Sequence, residues 1–224
     1  MDKIAWLLPN ILEFGTQPFE TQLSTVFVVV LWSITLIFLA ISTRSFFQAK
    51  KRIKWLQTRL EKVSTETISS KRVDLYSDAK NEKHIDYVGH LWLEFDETLI
   101  EVKESEVHLY NTFDAAYFFN STTLAKGVTD NRLIAAVPGF LTAIGVIGTF
   151  VGLQIGLSEI NISSNVSVDE MKAGVSAVIG GAKVAFMTSV WGVFLSVVFN
   201  FIEKILEQKI RTKIHFLQNL IDEI

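Results

Sequence analysis

The sequence predicts an all-α membrane protein, three transmembrane helices with long cytoplasmic helical extensions. Three observations carry that expectation. First, residues 23–42, 133–157 and 173–202 form three apolar runs, each with the roughly 20 residues needed to cross a hydrocarbon core about 30 Å thick. Second, the prolines stand at positions 9, 18 and 138 only, so nothing between Phe19 and Val137 forces a helix to break. Third, no stretch reads as alternating apolar and polar residues bounded by turn signals, the pattern of a half-buried strand. The composition agrees, with 49% hydrophobic residues and a mean hydropathy of +0.33, high for an ordinary soluble domain.

Residues 1–22 hold one lysine, Lys3, and three carboxylates before the first run. They lack the basic segment that opens a cleaved signal, so the run 23–42 reads as a retained anchor. Fourteen of the 21 lysines and arginines fall between Arg44 and Arg132, and four follow Glu203. The positive-inside rule then puts 43–132 and 203–224 in the cytoplasm. Residues 1–22 and the loop 158–172 face the other side; the loop contains the sequons Asn161/Ser163 and Asn165/Ser167.

Within 43–132, "RSFFQAKKRIKWLQTRLEKV" reads as a continuation of the first helix, with Phe47, Ile53, Leu56, Leu60 and Val63 at apolar positions. "STETISS", residues 64–70, reads as a break. A second helix is expected to carry Val73, Tyr76, Ile85, Val88, Leu91, Leu99 and Val102. The third membrane helix opens on a capping box at Ser167 and Glu170. Past the third run, Ile210, Ile214, Leu217, Ile221 and Ile224 are spaced 4-3-4-3, the seam of a short coiled coil or bundle. Because the chain stops on a seam position, the natural protein is expected to continue as a helical tail.

Several function classes drop out. Cysteine is absent, and His84, His90, His108 and His215 show no metal-ligand spacing, so no metal or other cofactor is expected. The net charge of −3 argues against direct nucleic-acid binding, which needs a concentrated basic surface. No nucleophile–base pair stands out, and no enzyme activity is expected.

The informative stretch is "GVIGTFVGLQIGL", Gly145 to Leu157. At 100° per residue, Gly145, Gly148, Gly152, Gly156 and Thr149 share one stripe about 100° wide. The third run carries a matching stripe of Gly174, Ala177, Gly181, Ala185, Thr188, Gly192 and Ser196, with Ser189 at its margin. Small residues let membrane helices approach closely, so one reading is helix packing through Gly145, Gly148, Gly152, Gly181 and Gly192. The other is a narrow polar path lined by Thr149, Thr188 and Ser189, since buried hydroxyls need partners. The three runs contain no Asp, Glu or His. An ion relay normally needs such a group, so any conducted ion requires a carboxylate from another polypeptide.

These residues resemble a known family. "GVIGTFVGL", Gly145 to Leu153, is similar to the G-x-x-G-T-x-x-G-L helix of the MotA/TolQ/ExbB ion-channel proteins, and "GAKVAFMTSVWG", Gly181 to Gly192, to that family's next span. On that register Thr149 and Ser189 match the family's two threonines, Ser189 keeping the oxygen without the methyl. Pro138 lies about one turn further from Thr149 than in flagellar members. The acidic residue of TolQ and ExbB falls on Val184, beside Lys183. The resemblance implies a bacterial inner-membrane homopentamer with a periplasmic N-terminus and cytoplasmic C-terminus. It would surround a dimer of a single-span MotB/ExbD-like protein that brings a membrane aspartate, and would translocate H⁺ or Na⁺. Three spans and a helical tail look most like the motor component of the Zorya anti-phage defence system, with cytoplasmic effectors reached through the tail. The alternatives are a TolQ/ExbB-like energiser of outer-membrane processes and a non-conducting scaffold.

Lys183 is the one charge inside the apolar runs. It reads either as a gate or partner charge or as a side chain snorkelling to the membrane surface. Glu94, Glu97 and Glu101 fall on one helical face, either solvated or cation-binding. The basic cluster "KKRIKW", Lys50 to Trp55, suits contact with anionic lipid headgroups or torque transfer to a partner, and Trp6 and Trp55 suit interfacial anchors.

Overall fold

The computed structural model describes residues 14–16, 19–61, 68–82, 85, 87–103, 107–160 and 167–222. Trp6, the first sequon, Asn165 of the second, residues 64–67 of the expected break and the seam residue Ile224 lie outside them. A 3-10 turn at Phe14–Thr16 precedes seven α-helices and one hairpin among the described residues. The helices are α1 (Phe19–Leu60), α2 (Ile68–Asn81), α3 (Val88–Asp96), α4 (Ala115–Phe118), α5 (Ser121–Leu124), α6 (Arg132–Ser158) and α7 (Val168–Asp222). α1, α6 and α7 are long and apolar enough to cross a membrane. The all-α membrane class therefore stands. α1 continues through "KKRIKWLQTRL" as expected, and the capping box of α7 is formed: the Ser167 backbone N–H donates to Glu170 Oε2 at 2.8 Å and the Glu170 N–H to Ser167 Oγ at 3.3 Å.

The chain divides into two compact units. The first joins α1 up to Ala40 with 132–202, that is α6 and most of α7. Its core is Val28 and Leu31 of α1, Ile134, Val137 and Leu141 of α6, and Met187, Trp191, Leu195 and Phe199 of α7. Outward faces stay apolar, as at Leu36, Ile37, Phe150, Phe186 and Val197. In water that would be a large exposed patch; against lipid it is the expected solvent-facing side.

The second unit contains 41–131 and 203–224. Ile210, Ile214, Leu217 and Ile221 are buried there with Ala49, Ile53, Leu56 and Leu60 of α1, so the 4-3-4-3 seam packs as part of a helical bundle. Four long-range bonds fasten the connecting segments. Asp222 Oδ1 accepts from the Ala115 N–H at 2.9 Å, the Gln218 amide donates to the Phe119 carbonyl at 2.7 Å, Arg52 donates to the Leu124 carbonyl at 3.3 Å, and the Tyr87 hydroxyl donates to the Thr123 carbonyl.

The expected second helix is a correction. It ends at Asn81, restarts at Val88 and stops at Asp96; Leu99 and Val102 lie in strand β1 (Leu99–Lys103), paired antiparallel with β2 (Val107–Asn111). "LIEVK" is β-branched and alternates over only five residues, too short to separate from a helix by period alone. Glu101 is in β1 while Glu94 is in α3, so the three glutamates share no helical face. Trp55 is also corrected. It is no interfacial anchor but a core residue, with Nε1 donating to Glu82 Oε2 at 2.7 Å and the Arg59 guanidinium 4.0 Å over its ring.

Arg72 grips Asp96 from α2 with two prongs, Nε to Oδ1 at 2.8 Å and Nη2 to Oδ2 at 3.2 Å, and Nη2 reaches the Asp96 carbonyl at 2.9 Å. Asp96 is buried and Arg72 partly exposed. Removing the guanidinium strands a desolvated carboxylate, so Arg72→Met is expected to cost about 2 kcal/mol, below the fully buried range. Thermal unfolding of the purified protein checks it; an unchanged midpoint would show the pair to be dispensable.

Candidate functional site

The site is the seam between α6 and α7 within the first unit. Glycine is required there for space. A Cβ on Gly145 would meet Gly192 Cα at 3.1 Å, and one on Gly152 would meet Gly181 O at 2.8 Å and Ala185 N at 2.9 Å. One on Gly156 would meet Ala177 O at 2.9 Å, and one on Gly192 would meet Gly145 Cα at 2.8 Å. The neighbours are backbone atoms, which cannot turn away, so the two helices touch main chain to main chain. The five glycines expected at the packing stripe, Gly145, Gly148, Gly152, Gly181 and Gly192, all lie in this seam, and Gly156 extends it.

Close approach brings the hydroxyls together at one edge. Thr149 Oγ1 lies 2.5 Å from Ser189 Oγ, 3.0 Å from the Gly145 carbonyl and 3.4 Å from the Ala185 carbonyl. Both side chains are only half-buried. Thr188 is placed differently. It is fully buried, its hydroxyl donates to the Val184 and Ala185 carbonyls at 3.1 and 3.0 Å, and its side chain fills the hollow over Gly148. Thr188 therefore packs the seam rather than lining an accessible edge. Lys183 is exposed, away from the Thr149–Ser189 pair, in a groove with Thr21, Ser24, Ser176 and Gly180.

The Ala185 carbonyl is the oxygen that side-chain reasoning missed; every residue carries one, and only the glycine-tight approach of α6 singles out this one. Chemically, each hydroxyl has one proton and two acceptor lone pairs. One proton sits between Thr149 and Ser189, from either oxygen, and the other can point to a carbonyl, which leaves acceptor lone pairs unused. Such a pair can take a cation or a protonated water. It cannot itself titrate near neutral pH.

A profile of the family described as "Anti-phage protein ZorA, Zorya type I system" matches residues 11–224. The chain belongs to the ZorA family. Two curated relatives, both called Zorya protein ZorA, agree. That of Escherichia coli O139:H28 (strain E24377A / ETEC) is 30% identical over 121 residues, 51% of this chain and 16% of the relative. That of Escherichia coli strain ATCC 8739 is 36% identical over 63 residues, 28% of this chain and 10% of the relative. Each match thus spans less than a fifth of the ZorA relative's length. The family agrees with the resemblance carried by the glycine and threonine motifs of α6 and α7.

Proposed function

We propose that this chain is a subunit of an ion-driven rotary motor, or stator channel, of an anti-phage defence system in the bacterial inner membrane. The observation that supports it most is the Thr149–Ser189 hydroxyl pair held half-open on a glycine-packed seam. A hydroxyl bond across two helices also serves packing, but a pair left half-exposed keeps acceptor lone pairs for a passing ion. In this reading a homopentamer surrounds a dimer of a single-span, ZorB-like partner of the MotB/ExbD kind. Each partner helix brings an aspartate that cycles between protonated and ionised forms. Thr149 and Ser189 supply oxygens to H⁺ (as hydrated proton) or Na⁺ as the aspartate passes. The N-terminus lies in the periplasm, the C-terminal part of α7 in the cytoplasm, and effectors are engaged on that side. The chain performs no covalent chemistry of its own.

The ZorA membership favours defence over outer-membrane energisation. A non-conducting scaffold is the second reading, since the seam's backbone-to-backbone glycine contacts would serve it equally well. Native mass spectrometry of the complex purified with its neighbouring membrane protein separates the two. Five copies of this chain holding two of a single-span partner is the expected result. A monomer or dimer indifferent to any partner would sink the motor reading.

A further inference from the structure

Lys183 stands eleventh in the apolar run 173–202, about 15 Å along the helix from its start, a depth at which an ammonium is costly. The packing of α1 changes that depth. Trp32 of α1 packs against Trp191 of α7, the rings tilted and their centroids 5.6 Å apart. The same offset between two helices running in one direction sets Ser24 beside Lys183. The groove confirms it, since Thr21 and Ser24 of α1 line it together with Ser176, Gly180 and Lys183 of α7. The apolar run of α1 begins only at Leu23, after Glu20, Thr21 and Gln22. Lys183 is therefore level with the start of the apolar run of α1, one turn below the polar residues Glu20, Thr21 and Gln22, and α7 extends beyond it.

The groove has a volume of about 450 Å³. A helical side chain leans toward the helix N-terminus, which carries the Lys183 ammonium up toward the Ser176 and Thr21 hydroxyls. Ser24 Oγ is buried and donates to the Thr21 carbonyl at 2.9 Å, fixing that wall. Below Lys183, on the same face of α7, Val190 and Phe194 are exposed, at about 10 and 17 Å along the helix. That length matches one leaflet, half of a core about 30 Å thick. A cation with hydroxyls beside it and an apolar lane beneath it is the complement of one amphiphile. No other copy of this chain can neutralise the lysine from its apolar runs, which contain no Asp or Glu.

We propose that the Lys183 groove binds an anionic phospholipid, its phosphate on the Lys183 ammonium and the Ser176 and Thr21 hydroxyls, and an acyl chain along Val190 and Phe194. The site lies on the α1 side of α7, away from the Thr149–Ser189 pair, and is independent of the motor reading. The test is native mass spectrometry of the full chain in detergent, titrated with phosphatidylglycerol. Lys183→Gln is expected to weaken lipid retention about fivefold, the effect of one lysine at a membrane surface, and Lys183→Arg to retain it. Ser176→Asp, which puts a carboxylate into the groove, is expected to weaken it as well, and covers the case where Lys183→Gln misfolds. Equal retention by wild type and all three variants would overturn the proposal. So would displacement of the lipid by millimolar inorganic phosphate, which would make the groove a free-anion site. Loss of a co-purifying protein from Lys183→Gln with lipid retention intact would assign the lysine to an acidic protein partner instead.

Discussion

Gly181→Ala is expected to separate α6 from α7 and to destabilise the membrane-spanning unit by about 3 kcal/mol, the upper part of the usual overpacking range. The added methyl would run into the Gly152 carbonyl oxygen and sit 2.8 Å from Gly156 Cα and 2.9 Å from Gly156 N. All three are backbone atoms of a helix that cannot rotate a side chain out of the way. Relief requires the helices to part by roughly an ångström, which also loosens the contacts at Gly145–Gly192 and Gly148–Thr188, because the helices are stiff over those few turns. Gly139→Ala, in the same α6, is the internal comparison. A Cβ there meets nothing within 4 Å, so only helix propensity acts, favouring Ala by about 1 kcal/mol or less. Thermal unfolding in detergent, followed by circular dichroism, is the measurement. Equal melting of the two variants would show that the seam is not held by close backbone approach.

The legibility of this chain follows the range of its interactions. The three long helices and the glycine seam were readable because both depend on local period: length and apolarity for the spans, and recurrence of small residues on one stripe for the contact face. The pairing of Thr149 with Ser189 was also within reach, since each lies beside its helix's glycine stripe and two packed stripes must bring their margins together. Period alone could not tell the placement of Thr188 from that of Ser189. One hundred degrees of helix separates it from Ser189, enough to move a hydroxyl from an accessible edge to the hollow over Gly148. The second unit was harder. The fate of Trp55 depends on a partner far along the chain, Glu82, while the β1–β2 hairpin is local but its five-residue strands are too short for period to tell from helix. The groove around Lys183 was hidden in the same way as the fate of Trp55, because Thr21 and Ser24 reach it only through the packing of α1 against α7.

Thr149→Ala combined with Ser189→Ala is expected to abolish ion flux while leaving the fold in place. Each hydroxyl facing a passing cation or protonated water contributes about 2 kcal/mol, the range for hydrogen bonds to charged groups, so each single alanine should slow flux about thirtyfold. The single variants should keep residual flux, because the remaining hydroxyl still stands near the Ala185 carbonyl; the double variant removes both side-chain oxygens. Stability should change by less than about 1 kcal/mol, since the Thr149 hydroxyl also bonds the Gly145 carbonyl of its own helix and neither side chain is deep in the seam. Thr149→Ser and Ser189→Thr preserve an oxygen and should conduct, which separates loss of a ligand from loss of packing. Flux is read in vesicles holding the complex with its partner, using a pH-sensitive dye inside and sodium varied outside, so the same assay tells H⁺ from Na⁺. Protection of cells from phage is scored in parallel. If the double alanine variant assembles, conducts and protects like the wild type, the hydroxyl pair is packing and the scaffold reading takes over. If it assembles and protects without conducting, defence in this family runs without the ion. Loss of both with assembly intact ties the two oxygens to the motor, because packing of the seam rests on glycines that the variant leaves unchanged.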